Sequence, residues 1–221
     1  VFGDWSSDVC SSDLGVADAG LMDGLALYLP FDGDTQDLSP NGTDGINSGV
    51  TWTNDAQGAP GNAAYFDGSG SQVYVSDTPS LDPDYLTLSF WFNLASFDEA
   101  RELVNKIGSN GDISYGSEIR GNTLYFRISA DGTASGITDL AATTAVQVGT
   151  WYHFAGTYDG SEMRVYLNGN LEATTPKTGS VFDSSVDLRI GRYEYFSGWV
   201  FQGAMDRSEE HTSELQSPNT I

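Results

Sequence analysis

The stretch LTLSFWFNL, residues 86–94, alternates without a break. Leu86, Leu88, Phe90, Phe92 and Leu94 fall on one side, and Thr87, Ser89, Trp91 and Asn93 on the other. Successive side chains of a strand point to opposite faces, so this pattern specifies an extended chain with one apolar face. Five large apolar side chains in a row need a second apolar layer to cover them, which predicts a central strand. The same alternation recurs along the chain. MRVYLNGNLEATT reads as two strands joined by Asn168-Gly169, a pair that a type I′ hairpin turn favours because both residues accept positive φ. EIRGNTLYFRI repeats the plan around Gly121-Asn122. Further strands are expected at 25–31, 63–68, 72–77, 150–159, 187–192 and 199–205. SFDEARELVNK carries the one helical signal, with Ser96 as N-cap and Glu99 completing a capping box. A turn or two of helix at most is expected there before ELVNKI becomes extended. Strands at regular spacing with Gly/Asn turns predict an all-β, two-sheet antiparallel sandwich of the jelly-roll kind.

Both ends break this pattern. RSEEHTSELQS, residues 207–217, is polar but for one leucine and follows directly on FQGAMD. It resembles, without a mismatch, the first-frame translation of a common sequencing-library adapter. DWSSDVCSSDL, residues 4–14, resembles the translation of the same oligonucleotide's reverse complement. The flanking residues 1–3 and 218–221 are compatible with one shared sample index read in the two directions. The expectation is therefore translated adapter over 1–14 and 207–221 and a single domain over 15–206. Its final strand would be truncated after Asp206, leaving unpaired strand edge.

Within 15–206 the chain has 25 acidic against 8 basic residues, no cysteine, and one histidine, His153. A disulfide framework, a thiol nucleophile and a Cys/His zinc site lose their material. The acidic balance opposes binding to a phosphate backbone, so nucleic acid is not an expected partner. No run of eighteen apolar residues is present, so no membrane insertion is expected. Acidity, many Asp-Gly and Asn-Gly pairs and the lack of cysteine suit a secreted, calcium-rich or saline setting.

Seven pieces then carry a family resemblance: GLALYLPFDGDTQDLSPNGTDG (24–45), GNAAYFDGSGSQVYV (61–75), LTLSFWFNL (86–94), GTWYHFAGTYDG (149–160), MRVYLNGN (163–170), LRIG (188–191) and FQGAMD (201–206). In this order and spacing they resemble the laminin-G-like jelly-roll domains of the concanavalin A-like lectin/glucanase superfamily. The resemblance implies two stacked antiparallel sheets, with the last strand pairing beside the first. It also implies a structural Ca2+ ion where those strands meet, held by Asp32 and Asp206, with Asn41 and the Gly45 carbonyl as weaker ligands. A hard cation taking six to eight oxygens suits such a set. Asp34 and Asp37 read first as turn residues bonding their own backbone.

The architecture also hosts glycosidases and polysaccharide lyases, so a catalytic reading was weighed. Retaining glycosidases need two carboxylates about 5 Å apart, delivered in this superfamily as Glu-x-Asp-x-x-Glu on one strand. No such spacing occurs; the nearest stretch, DISYGSEIR, offers Asp112 and Glu118. The Arg/Gln and His/Tyr sets of the lyases are not recognisable either. His153 sits among aromatics in TWYHFAG and reads as structural. GRYEYFSGWVFQG places Tyr193, Tyr195, Phe196, Trp199 and Phe201 within nine residues. Exposed Tyr and Trp rings suit stacking on sugars, so Tyr193, Tyr195 and Trp199 are the candidate ligand contacts. Phe201 and Trp199 also fit core packing, and Trp52 fits core or sheet packing. The expected whole is a non-catalytic module of a larger secreted or cell-surface bacterial protein, covalently joined to neighbouring domains. It would bind a glycan or a protein ligand; the alternative is an adhesion or spacer domain without glycan binding.

Overall fold

The computed structural model describes residues 24–97, 101–193, 195 and 198–211. The N-terminal adapter-like stretch, Glu99 and Phe196 lie outside the described residues. The chain forms fifteen described strands: β1 Leu25–Leu29, β2 Ile46–Ser48, β3 Thr51–Thr53, β4 Ala63–Asp67, β5 Gln72–Val75, β6 Leu86–Leu94, β7 Arg101–Ile107, β8 Ile113–Arg120, β9 Thr123–Gly132, β10 Ile137–Ala141, β11 Trp151–Tyr158, β12 Glu162–Leu167, β13 Asn170–Pro176, β14 Leu188–Ile190 and β15 Gln202–His211. Short 3-10 turns at Pro79–Leu81 and Ala134–Gly136 are the only helical pieces among the described residues.

Two antiparallel sheets result. The first has the order β13-β12-β11-β6-β15-β4-β3, with β1 also paired to β15. The second has the order β10-β9-β8-β7-β14-β5-β2. The chain passes from one sheet to the other again and again, the crossing pattern of a jelly roll.

As the alternation requires, β6 lies centrally between β11 and β15, and Leu86, Leu88, Phe90, Phe92 and Leu94 are all buried. Opposite them the second sheet contributes Tyr115, Ile119, Leu124, Phe126 and Ile128 to one continuous core. Phe126 of the second sheet meets Phe154 of the first at 6.2 Å between ring centroids, and Phe154 meets Phe90 at 4.9 Å. Gly156 makes room for this contact, since a Cβ there would lie 2.7 Å from the Phe126 ring. Trp52 packs, partly buried, against the same core, and Phe201 is fully buried. The predicted I′ turn is present, with Asn168 at φ 51° and Gly169 at φ 77°.

ELVNKI is extended, as β7. Its Lys106 side chain is wholly buried and pairs with Asp77 at 2.7 Å and Asp82 at 2.8 Å, also donating to the Ser184 carbonyl. One ammonium with its three donors so ties the β5–β6 and β13–β14 connections to one strand.

One expectation is corrected. The last strand does not stop at Asp206: the backbone of β15 continues to His211, pairing Ser208, Glu209 and Glu210 with Leu29, Tyr28 and Leu27 of β1. The ladder needs only main-chain N–H and C=O groups, and β1 and β6 leave open edges there that any extended segment can complete. The junction is nevertheless irregular. Arg207 adopts φ 48°, and the register against β6 shifts between Asp206 and Glu209. The ladder against β6 is thus interrupted, as at a β-bulge, just after Asp206.

Candidate functional site

Tyr193, Tyr195 and Trp199 lie on a hairpin closed by an Arg192–Val200 bridge and by the Tyr193 N–H donating to the Trp199 carbonyl at 3.0 Å. Gly191, at φ 86°, turns the chain out of β14; a Cβ there would strike the Phe66 ring. The hairpin then folds over the outer face of the second sheet. Asn105 on β7 donates through Nδ2 to the Arg192 carbonyl at 2.9 Å, and the Tyr193 hydroxyl donates to the Gly108 carbonyl at 3.0 Å. Tyr193 is flanked by Tyr195, 5.9 Å between centroids, and by Trp199, 5.4 Å at an interplanar angle of 31°. The three candidate contacts are thus one cluster. Tyr195 is 56% exposed, while Tyr193 and Trp199 are half-buried. Trp199 belongs to this cluster and not to the core.

Beside the cluster runs a row of charge that sequence spacing did not reveal. Glu102 on β7 stands directly opposite Glu118 on β8, and both side chains are buried. Arg127 on β9 reaches Glu102 at 3.5 Å, Glu118 at 3.3 Å and Asp139 of β10 at 3.1 Å. Arg120 binds Asp139 at 2.8 Å and also Glu118, and stacks over the Tyr125 ring at 4.5 Å. Burial and the facing Glu118 push the Glu102 carboxyl up to about 8, against the opposing pull of Arg127. Both Glu102 oxygens are buried without a hydrogen-bond partner, so a charge there is poorly compensated. The phenol of Tyr193 is likewise raised, first by burial and then by the charge of Glu102, which places the hairpin beside this row. The two glutamates were missed because they lie sixteen positions apart in sequence and meet only through the β7–β8 register.

At the other end of the molecule Asp206 is 1% exposed, and neither carboxylate oxygen has a hydrogen-bond partner. Burial pushes its carboxyl up to about 7, and the charges of Asp55 and Asp32 push it further the same way. Arg207 opposes the rise from 3.8 Å, an ion pair too long to be a hydrogen bond. The Ala56 amide faces Asp206 without closing a bond of normal geometry. Asp32 is carried there by the turn after β1, where Phe31 is held at φ 62° and the Pro30 carbonyl accepts the Arg207 N–H at 3.4 Å. Its carboxyl is also raised, chiefly by burial, and feels Arg207 and Asp55. Asp55, not anticipated from the sequence, joins this group through its own turn, where Oδ1 accepts from the Gln57 and Ala59 amides.

Asn41 is not brought to this end. Its Nδ2 donates to the Ala26 carbonyl at 2.9 Å, which anchors it at the start of β1. Asp32 follows the other end of that strand, whose run from Ala26 to Leu29 alone covers about 10 Å at 3.3 Å per residue. The Gly45 carbonyl accepts from Thr35 Oγ1 at 2.5 Å, so this candidate ligand already has a donor. Asp37 is the buried hub of the loop between β1 and β2, accepting from Tyr28 N, Ser39 N, Ser39 Oγ and Thr43 N at 2.8–2.9 Å. Asp34 closes a small turn onto the Gln36 amide. Among the described residues no group of three or more His, Cys, Asp or Glu side chains is gathered as a metal cluster. Any ion at Asp206 would need backbone carbonyl or water oxygens to complete its shell.

A profile for Laminin_G_3, of the concanavalin A-like lectin/glucanases superfamily, matches residues 67–217. The chain belongs to this superfamily. Pappalysin-1 of Mus musculus is 28% identical over 139 residues, covering 56% of this chain, and Pappalysin-1 of Homo sapiens is 28% identical over 138. The chain spans only 8% of the length of either relative. Solved structures share the fold. The binding domain of Paraclostridial Mosquitocidal Protein 1 has a TM-score of 0.72 at 18% identity, over 89% of this chain and 50% of that one. Domain 4 of AbnA, a GH43 extracellular arabinanase from Geobacillus stearothermophilus in complex with arabinotriose, has 0.64 at 18%, over 85% and 91%. The binding domain of Botulinum Neurotoxin DC in complex with SialylT has 0.65 at 14%, over 89% and 50%.

Within this superfamily fold, His153 is a sheet residue. Its Nε2 shares a hydrogen with Ser89 Oγ at 3.0 Å, and its ring lies 5.2 Å from that of Trp91. Asp112 accepts from the Ser185 amide and hydroxyl at 3.0 Å, holding a loop. No helix among the described residues is long and apolar enough to cross a membrane.

Proposed function

We propose that this chain is a non-catalytic glycan-binding module of a larger secreted protein, with Ca2+ as structural support. The observation that carries the reading is the Tyr193–Tyr195–Trp199 cluster, in which the Tyr193 ring lies within 6 Å of each of the other two and Tyr195 is open to solvent. Flat apolar faces with polar edges suit the C–H faces and hydroxyls of sugar rings. Likeness in fold to domains solved with arabinotriose and with SialylT supports it. The small share of Pappalysin-1 that is matched supports a module with covalently joined neighbours.

Hydrolysis is disfavoured by the state of the outer-face glutamates among the described residues. Glu102 and Glu118 are both buried and paired to arginine, whereas a glycosidase needs two carboxyls open to the scissile bond.

For calcium, the fit rests on Asp206. Two buried carboxylate oxygens without donors, beside Asp32 and Asp55, favour a hard cation. Asp206 would be its main protein ligand, with the charge of Asp32 close by and carbonyl or water oxygens completing the shell.

A glycan array tests the main reading. Tyr195→Ala should weaken binding by about tenfold or more and leave the unfolding midpoint unchanged. A chain that binds no glycan yet is stabilised by Ca2+ would instead be an adhesion or spacer domain.

A further inference from the structure

We infer that the ligand of this site is a neutral glycan, one without carboxylate, sulfate or phosphate groups. This rests on the glycan-binding reading above and narrows its ligand class.

An acidic sugar is held by an arginine whose fork is free to take its carboxylate. In the charge row beside the aromatic cluster both guanidiniums are committed. Arg127 sits among Glu102, Glu118 and Asp139 at 3.1–3.5 Å, and Arg120 between Glu118 and Asp139, with its face on Tyr125. Three acids surround two arginines, so the row presents no surplus positive charge. Arg192, at the base of the hairpin, directs its guanidinium to the Gly70 turn. Taking either Arg120 or Arg127 for an anion would strip a buried carboxylate of its counter-charge, a large cost in a low-dielectric setting. The chain as a whole carries a formal charge of −22, which repels anions at longer range.

Hydroxyls meet no such obstacle. Each Asp139 oxygen accepts one arginine N–H and keeps a lone pair for a further donor. Sugar hydroxyls of a chain running from the aromatic cluster along the row can donate there.

The test uses the full chain on an array holding neutral arabino-, gluco- and galacto-oligosaccharides beside sialylated, uronate-containing and sulfated ones. Hits should be confined to neutral glycans, and their Kd should change by less than about twofold between roughly 50 and 300 mM NaCl, because salt weakens only charged contacts. Acidic glycans bound as well as their neutral counterparts, or affinity falling about tenfold across that salt range, would overturn the inference and leave the glycan reading standing. No hit at all, or hits untouched by Tyr195→Ala, would overturn the glycan reading and this inference with it.

Discussion

Glu102 and Glu118 face each other across β7 and β8, both almost wholly buried, with Arg127 bridging them from the next strand. Two like charges in that position cannot both ionise cheaply, so one proton is retained near neutrality.

The pH dependence follows from the sign. The Glu102 carboxyl lies at about 8 when folded, above its ordinary 4.5. The folded state therefore binds more protons than the unfolded state between those values, and stability falls as pH rises through that window. Glu102→Gln removes the effect. It should stabilise the protein at pH 8 by on the order of 2–4 kcal/mol and have little effect at pH 4.5. Urea unfolding at the two pH values is the measurement, and equal changes at both would show that Glu102 does not hold its proton.

Calcium should act through the same kind of linkage at Asp206. With a carboxyl raised to about 7, the group is protonated in acid and must ionise to hold a cation. Millimolar Ca2+ should raise the unfolding midpoint at pH 8 and much less at pH 5.5. Asp206→Asn should abolish the gain. Magnesium, which demands tighter octahedral geometry, should substitute poorly.

Lys106 is a buried cation with two aspartates and a carbonyl as partners. Lys106→Ala leaves Asp82, itself largely buried, without its counter-charge, and should cost roughly 3–5 kcal/mol in chemical denaturation. Asp82→Asn keeps a neutral partner in place and should cost less.

Gly203 lies on β15 at φ 152°, where a Cβ would sit 2.1 Å from the Asn93 carbonyl oxygen. Backbone cannot move aside as a side chain can. Gly203→Ala should destabilise by about 3 kcal/mol or more, and a midpoint within a degree of the parent would contradict the close approach of β15 to β6.

Much of the architecture was legible from residue type and period. LTLSFWFNL is the central strand its alternation demands, Asn168-Gly169 forms the predicted turn, and ELVNKI is extended. The aromatic run brings Tyr193, Tyr195 and Trp199 together because a hairpin keeps neighbours in sequence together in space. Legibility failed where the partners are distant. Glu102 with Glu118, and Asp55 with Asp206, share no local signal, since an acid on a strand looks like any solvated face until its neighbours are known. The resemblance drew Asn41 toward the wrong end of β1 because a loop's family position does not say which carbonyls its side chain will find.

By itself the sequence determined the pattern of faces and turns, since a two-residue period and a positive-φ pair are local properties that no packing can reverse cheaply. Tertiary structure alone decided which charges lie under which, and so which carboxyls are raised and which arginines are spent. Those quantities depend on burial and on cross-strand register, and register is set by the whole sheet.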